Sequence, residues 1–168
     1  MTIKFKRFIK QYWILLLLIS IKLILQYALV NPVYELHRDE FLYLNQATYN
    51  MIPADERENT LVICYNYGQA GALNYYNRKK MPEAYAYNTD YIYWLPRLKK
   101  IQNILLVGKN PGQQITGQFK DCKLMGVVEN PYARESGTEI YLLTDANEFF
   151  TLVFYNNVEE RKKKLDIF

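Results

Sequence analysis

Arg38, Asp39 and Glu40 are the residues of this chain whose types and position together suggest chemistry. They stand in "ELHRDEFLYL", just beyond a long apolar run. A carboxylate beside a guanidinium at that place could take a proton from an acceptor hydroxyl at the level of lipid headgroups. Asp39 and Glu40 are therefore the candidate catalytic residues, and Arg38 is the candidate substrate-binding residue. The same acids have a structural use. Asp39 could open a helix as its N-cap, since acids are favoured in a first helical turn. Physical chemistry alone favours the cap.

Other chemistry is thinner. His37 is the single histidine, and Cys64 and Cys122 form neither a CxxC pair nor a zinc spacing, so no metal site is expected. Two buried free thiols are the expected state of the cysteines, although pairing is left open. Gly68-Gln69-Ala70-Gly71 reads as a strand-to-helix turn, because GxGxxG and GxxxxGK[ST] are both absent. In "VGKNPGQQITG" the lysine precedes the Gly-containing loop, so this is no P-loop. No Ser-His-Asp or Cys-His arrangement is found, GxSxG is missing, and no cofactor is expected. The 16 tyrosines suit a carbohydrate platform, but packing with ring inward and hydroxyl outward is the preferred reading.

The elements that must position these residues divide the chain of 168 residues in four. Residues 1–11 form a basic N-terminus carrying Lys4, Lys6, Arg7 and Lys10. Residues 12–30, "YWILLLLISIKLILQYALV", are expected to form a transmembrane helix. Its 19 residues reach roughly 28 Å, about one hydrocarbon core. Lys22 costs about 2.5–3.5 kcal/mol there, and the Leu and Ile residues at about −0.3 to −0.6 kcal/mol each outweigh it. Lys22 then snorkels or faces a partner transmembrane helix. The basic flank puts the N-terminus in the cytoplasm and the rest outside, as a single-pass protein of the inner membrane. An uncleaved anchor is expected over a cleaved signal peptide, because "QYALVNP" offers a poor cleavage site.

Residues 31–52 are expected to hold the acidic loop and a short amphipathic helix. Asn31-Pro32 should end the first helix, and Phe41, Leu44, Thr48 and Met51 should share one face of the next. Residues 53–168 should form an extracytoplasmic domain. Strands are expected at Thr60–Tyr67, in "MPEAYAYN", at Asn103–Gly108, in "CKLMGVVEN" and at Glu139–Asp145. A helix over Tyr67–Lys80 should bury Ala70, Leu73 and Tyr76. The closing helix should bury Phe149, Phe150, Val153 and Phe154. Alternating strands and helices predict an α/β fold with a mixed or parallel sheet. The net charge of +4 is mild, and neither basic cluster is interleaved with aromatics, so nucleic acid is not an expected partner.

"YELHRDEFLYL" resembles the start of GT-C membrane glycosyltransferases, in the bacterial branch of the dolichyl-phosphate-mannose–protein mannosyltransferase and aminoarabinose transferase superfamily. "MIPADERENTLVICYNYGQAGALNYYNRKKMPEAYAYNTDYIYW" and "VENPYARESGTEIYLL" resemble the C-terminal extracytoplasmic domain of the same proteins. The resemblance implies a sugar donor carried on polyprenyl phosphate, membrane lipid as surroundings, and Asp39 as the base that activates the acceptor. It also implies that most of the transmembrane middle is missing, with a seam near Leu44 to Thr48. The functional expectation is a truncated glycosyltransferase-like membrane protein. A single span cannot wall the cavity that would hold donor and acceptor together, so the alternative is a non-catalytic, membrane-tethered binding or accessory domain.

Overall fold

The computed structural model describes the backbone of residues 2–77 and 80–165, and the side chains of residues 12–15, 17–28, 40–77, 80–88 and 90–165. The chain divides into two compact units, Met1–Asp39 and Glu40–Phe168.

The first unit is helical from Thr2 onward and belongs to α1, Thr2–Asn50. The expected stop at Asn31-Pro32 is not observed, and no helix begins at Asp39. Proline forfeits one backbone bond inside a helix without having to end it. No glycine precedes Gly68 to break the helix elsewhere. Residues 12–15 and 17–28 are exposed, with Ile14, Leu18, Leu23 and Ile24 between 57% and 66% accessible. Among the described residues no helix is long and apolar enough to cross a membrane. The expected spanning segment Tyr12–Val30 lies partly outside the described side chains, which omit Leu16, Leu29 and Val30.

The second unit is built on a five-stranded mixed sheet. Its strands are β1 Thr60–Cys64, β2 Ala84–Ala86, β3 Asn103–Gly108, β4 Phe119–Val127 and β5 Glu139–Ala146, in the order β2-β1-β3-β5-β4. β2, β1 and β3 run parallel, while β5 pairs antiparallel with both β3 and β4. Helices α2 (Tyr67–Tyr76) and α4 (Phe150–Leu165), a four-residue turn α3 (Gln113–Thr116) and two short 3-10 turns complete the unit. The α/β expectation with a mixed sheet is therefore observed.

Each central strand is apolar on both sides, as a strand covered on both faces must be. Val62, Cys64, Leu105, Val107, Ile140 and Leu142 face one core with Phe41, Tyr49, Ala70 and Leu73. Leu61, Ile63, Ile104, Tyr141 and Leu143 face the other with Phe150 and Tyr155. The first face is covered by the Glu40–Asn50 part of α1 and by α2, the second by α4. Gly126, beside an irregularity in β4, lets Leu44 approach so closely that an added Cβ would lie 3.0 Å from its Cδ2.

Three expected helix faces are corrected. Met51 is 66% exposed, because α1 has already ended at Asn50 and Ile52 goes inward instead. α2 stops at Tyr76, short of the expected Lys80, and Tyr76 lies outside its buried stripe of Gln69, Ala70 and Leu73. α4 begins at Phe150, where Asn147 caps the turn by accepting from the Phe149 N–H at 3.1 Å. Its buried stripe is therefore Phe150, Tyr155 and Val158, and Phe149 and Val153 point outward.

Side chains close the seams. Asn74 of α2 bonds both backbone groups of Ala84, at 2.7 and 2.8 Å, and so acts as a further neighbour for the edge strand β2. Arg57 donates to the carbonyls of Asn50 and Ile52 at 3.0 Å and closes the end of α1. On the other face, the Tyr155 hydroxyl donates to the Pro96 carbonyl at 2.7 Å and accepts from the Leu98 N–H at 2.8 Å. That pair pins the segment before β3 to α4.

Candidate functional site

The side chains of Arg38 and Asp39 lie outside the described residues. Glu40 is described, and its carboxylate is committed to structure. It accepts from the Glu129 N–H at 3.0 Å and from the Asn130 N–H at 3.4 Å. Those amides begin the segment linking β4 to β5, so Glu40 fastens that segment to α1. A carboxylate offers about four acceptor sites, and Glu40 uses two of them on these amides.

Behind this clamp the same face carries a second polar knot. Asn66 caps α2 by accepting from the Gln69 N–H at 2.9 Å, which makes Gly68–Gly71 the first turn of a helix. Gln69 is buried, and its Nε2 donates to Glu135 at 2.8 Å and to Thr138 at 3.2 Å. Cys64 is fully buried close by. Burial, reinforced by the Glu135 charge, pushes its thiol well above the ordinary value, so it is no nucleophile. Both cysteines are free. Among the described residues no three His, Cys, Asp or Glu side chains come together to hold a metal ion.

The opening lies on the opposite face. A crevice of 680 Å³ runs from the carboxyl ends of β1 and β3 along α4. Its floor is Ile63, Ile104, Leu106 and Leu143, and its helix wall is Phe150, Val153, Phe154, Asn157 and Arg161. The segment after β3 supplies Lys109, Asn110, Gln114 and Gln118, and Tyr87 and Asn88 close it after β2. The chain leaves β1 through α2 to reach β2 on one side, while β3 lies on the other. In open α/β sheets ligands bind in the crevice at such a reversal of strand order.

The residues at the mouth are set by local geometry. Gly108 has φ +155°, and a Cβ there would run into Tyr65, so only glycine lets the two strand ends meet. Tyr65 continues the β1 ladder through its N–H to the Val107 carbonyl at 2.7 Å. Lys109 Nζ stands 5.7 Å from the Tyr65 ring, and the Arg161 guanidinium 5.1 Å from the Tyr87 ring. The Tyr87 hydroxyl ionises above its ordinary value because burial outweighs the opposing pull of Arg161, with Glu160 adding to the rise. None of the lining residues is acidic. The Oδ1 of Asn88 is buried and has no hydrogen-bond partner, an acceptor left for something that enters.

Glu40 is not among the described residues that line the crevice, and the side chains of Arg38 and Asp39 lie outside the described residues. Sequence reasoning missed Lys109 as a site residue, because the loop was compared only with a P-loop. It missed Arg161, because "RKKK" reads as a solvated helix end. The one available signal was a glycine-lysine pair closing an apolar strand.

No protein-family model, no curated protein and no solved structure matches this chain.

Proposed function

We propose that this chain is a membrane-tethered, non-catalytic binding domain, and that the crevice at the carboxyl ends of β1 and β3 holds a small molecule. The observation that carries this reading is the crevice itself. It is preformed, apolar at its floor and ringed by a few polar groups, at the reversal point of the sheet. Glu40, the neighbour of the expected base Asp39, holds two backbone amides, which gives it a structural use. The tether is the apolar run of residues 12–30, spanning the inner membrane with the N-terminus in the cytoplasm and the sheet unit outside. Its support is the sequence, together with an apolar surface exposed on every side of the described helix. The resemblance to polyprenyl-phosphate-sugar transferases is on this reading one of descent, and Asp39 has no transfer to perform.

Three measurements test it. Native mass spectrometry of the full chain, released from membranes in mild detergent, should show a retained small molecule. Val153→Trp, which fills the crevice from an exposed helix position, should remove it. Sugar transfer from a polyprenyl-phosphate donor that Asp39→Asn abolishes would overturn the reading and restore the transferase. For the tether, the chain should stay with membranes through an alkaline carbonate wash.

A further inference from the structure

We infer that the crevice takes an amphipathic organic anion: an apolar, flat body carrying one phosphate or carboxylate and a nearby hydroxyl. The inference rests on the binding-domain reading and adds the ligand's chemistry to it. The floor of Ile63, Leu106 and Leu143, with Phe154 on the wall, offers no hydrogen bond and so demands an apolar body. The charge follows from the rim. Lys109 and Arg161 come from different elements, 52 residues apart by number (161 − 109), and both line the same opening with no acidic lining residue to neutralise them. Among the described residues neither forms an ion pair, whereas Lys120, Lys123 and Lys162 each have one. Each cation instead stands beside a tyrosine ring, which leaves its charge free. An anion entering here meets two cations of the rim at the edge of a low-dielectric floor. The hydroxyl follows from Asn88, whose buried Oδ1 is an acceptor without a donor.

The test is calorimetric titration of the full chain, held in phosphatidylcholine nanodiscs, with 1-naphthyl phosphate and with 1-naphthol. Empty discs supply the background. The phosphate is expected to bind at least tenfold more tightly than the neutral naphthol. Lys109→Gln and Arg161→Gln are each expected to weaken the phosphate about tenfold and leave naphthol unchanged, the size of one charged hydrogen bond. Both positions are solvent-facing, so the variants fold, and circular dichroism checks this. Val153→Trp is expected to weaken both probes. If naphthol matches the phosphate and the two Gln variants change nothing while Val153→Trp blocks both, the anion inference falls and the binding domain stands. If neither probe binds at millimolar concentration, the inference falls. If Val153→Trp leaves both bound, the crevice is not the site and both readings fall. Discs containing phosphatidylserine separate two sources of the anion. Competition that Arg161→Gln relieves identifies a bilayer headgroup, and its absence identifies a free molecule; either result is consistent with the inference.

Discussion

The two faces of the sheet use their polar side chains in opposite ways. On the face under α2 and the end of α1, polar groups are paired with backbone: Glu40 with two amides, Asn74 with both groups of Ala84, Asn77 with Met81. That face is closed over by α1 and α2, and two of its buried acceptors, Asn45 Oδ1 and Gln69 Oε1, have no partner. On the α4 face the amides, cations and Tyr87 stand around an opening, and the Asn88 oxygen has no partner. A polar residue near a glycine turn or beyond an apolar run can therefore serve packing in this chain. Each face keeps buried oxygens without a partner, Asn45 Oδ1 and Gln69 Oε1 on one and Asn88 Oδ1 on the other, so what separates the faces is that only the Asn88 oxygen lines the crevice.

The largest effect that would sharpen this contrast comes from the cores. Leu105 is fully buried in β3 on the sealed face. Leu105→Ala is expected to cost about 3 kcal/mol, from lost transfer energy and the cavity left behind. Phe154 on the open face is only partly buried, and Phe154→Ala should cost less than half as much, although its side chain is larger. Urea midpoints at unchanged slope measure both. Equal losses would mean that the α4 face is packed as tightly as the other and has no room for a ligand.

A smaller effect tests the clamp. Glu40→Gln keeps the shape and removes the charge, and should cost about 1 kcal/mol, the difference between a charged and a neutral acceptor. The readout specific to this role is hydrogen exchange at the Glu129 and Asn130 amides, which should lose protection while those of β1 and β3 keep theirs. Unchanged protection would free Glu40 for chemistry and break the contrast between the faces.

Much of the architecture was legible because local signals agreed with the final packing. Asn103–Gly108 is an apolar run closed by a glycine whose conformation and close contact no other residue tolerates, and the strand is found at those limits. The helix faces were legible only to within a turn. For α4 the phase depends on where Asn147 starts the helix, and a shift of one residue moves the stripe by 100°. The site was hardly legible at all. Its lining runs from Ile63 to Arg161 through three strands, a helix and the connections between them, and no short stretch carries a pattern. The structural part that Glu40 plays was hidden for the converse reason. Its partners are about ninety residues away along the chain, so nothing near it in sequence announces a clamp.

The smallest effect concerns alkaline pH and again separates the faces. The thiol of Cys64, fully buried in the core that α2 helps to cover, ionises well above its ordinary value of 9.0, chiefly from burial. Tyr85 sits on β2 and is pushed from 10.0 to about 12 by burial and by its bond to Glu83. In both cases the folded chain keeps its proton to higher pH than the unfolded chain does. Between the two values the unfolded state sheds protons first, so unfolding becomes easier as pH rises. Stability should therefore be flat up to about pH 9 with respect to these groups, then fall, first through Cys64 and then through Tyr85. Because burial also raises the Cys122 thiol above 9.0, the comparison is made in a Cys122→Ser background, where Cys64→Ala should delay the onset of that fall by about one pH unit, to the ordinary tyrosine range. Tyr87→Phe, at the crevice, should leave the onset where it is. An onset that moves with Tyr87 rather than with Cys64 would mean that water reaches the sealed face more readily than the open one.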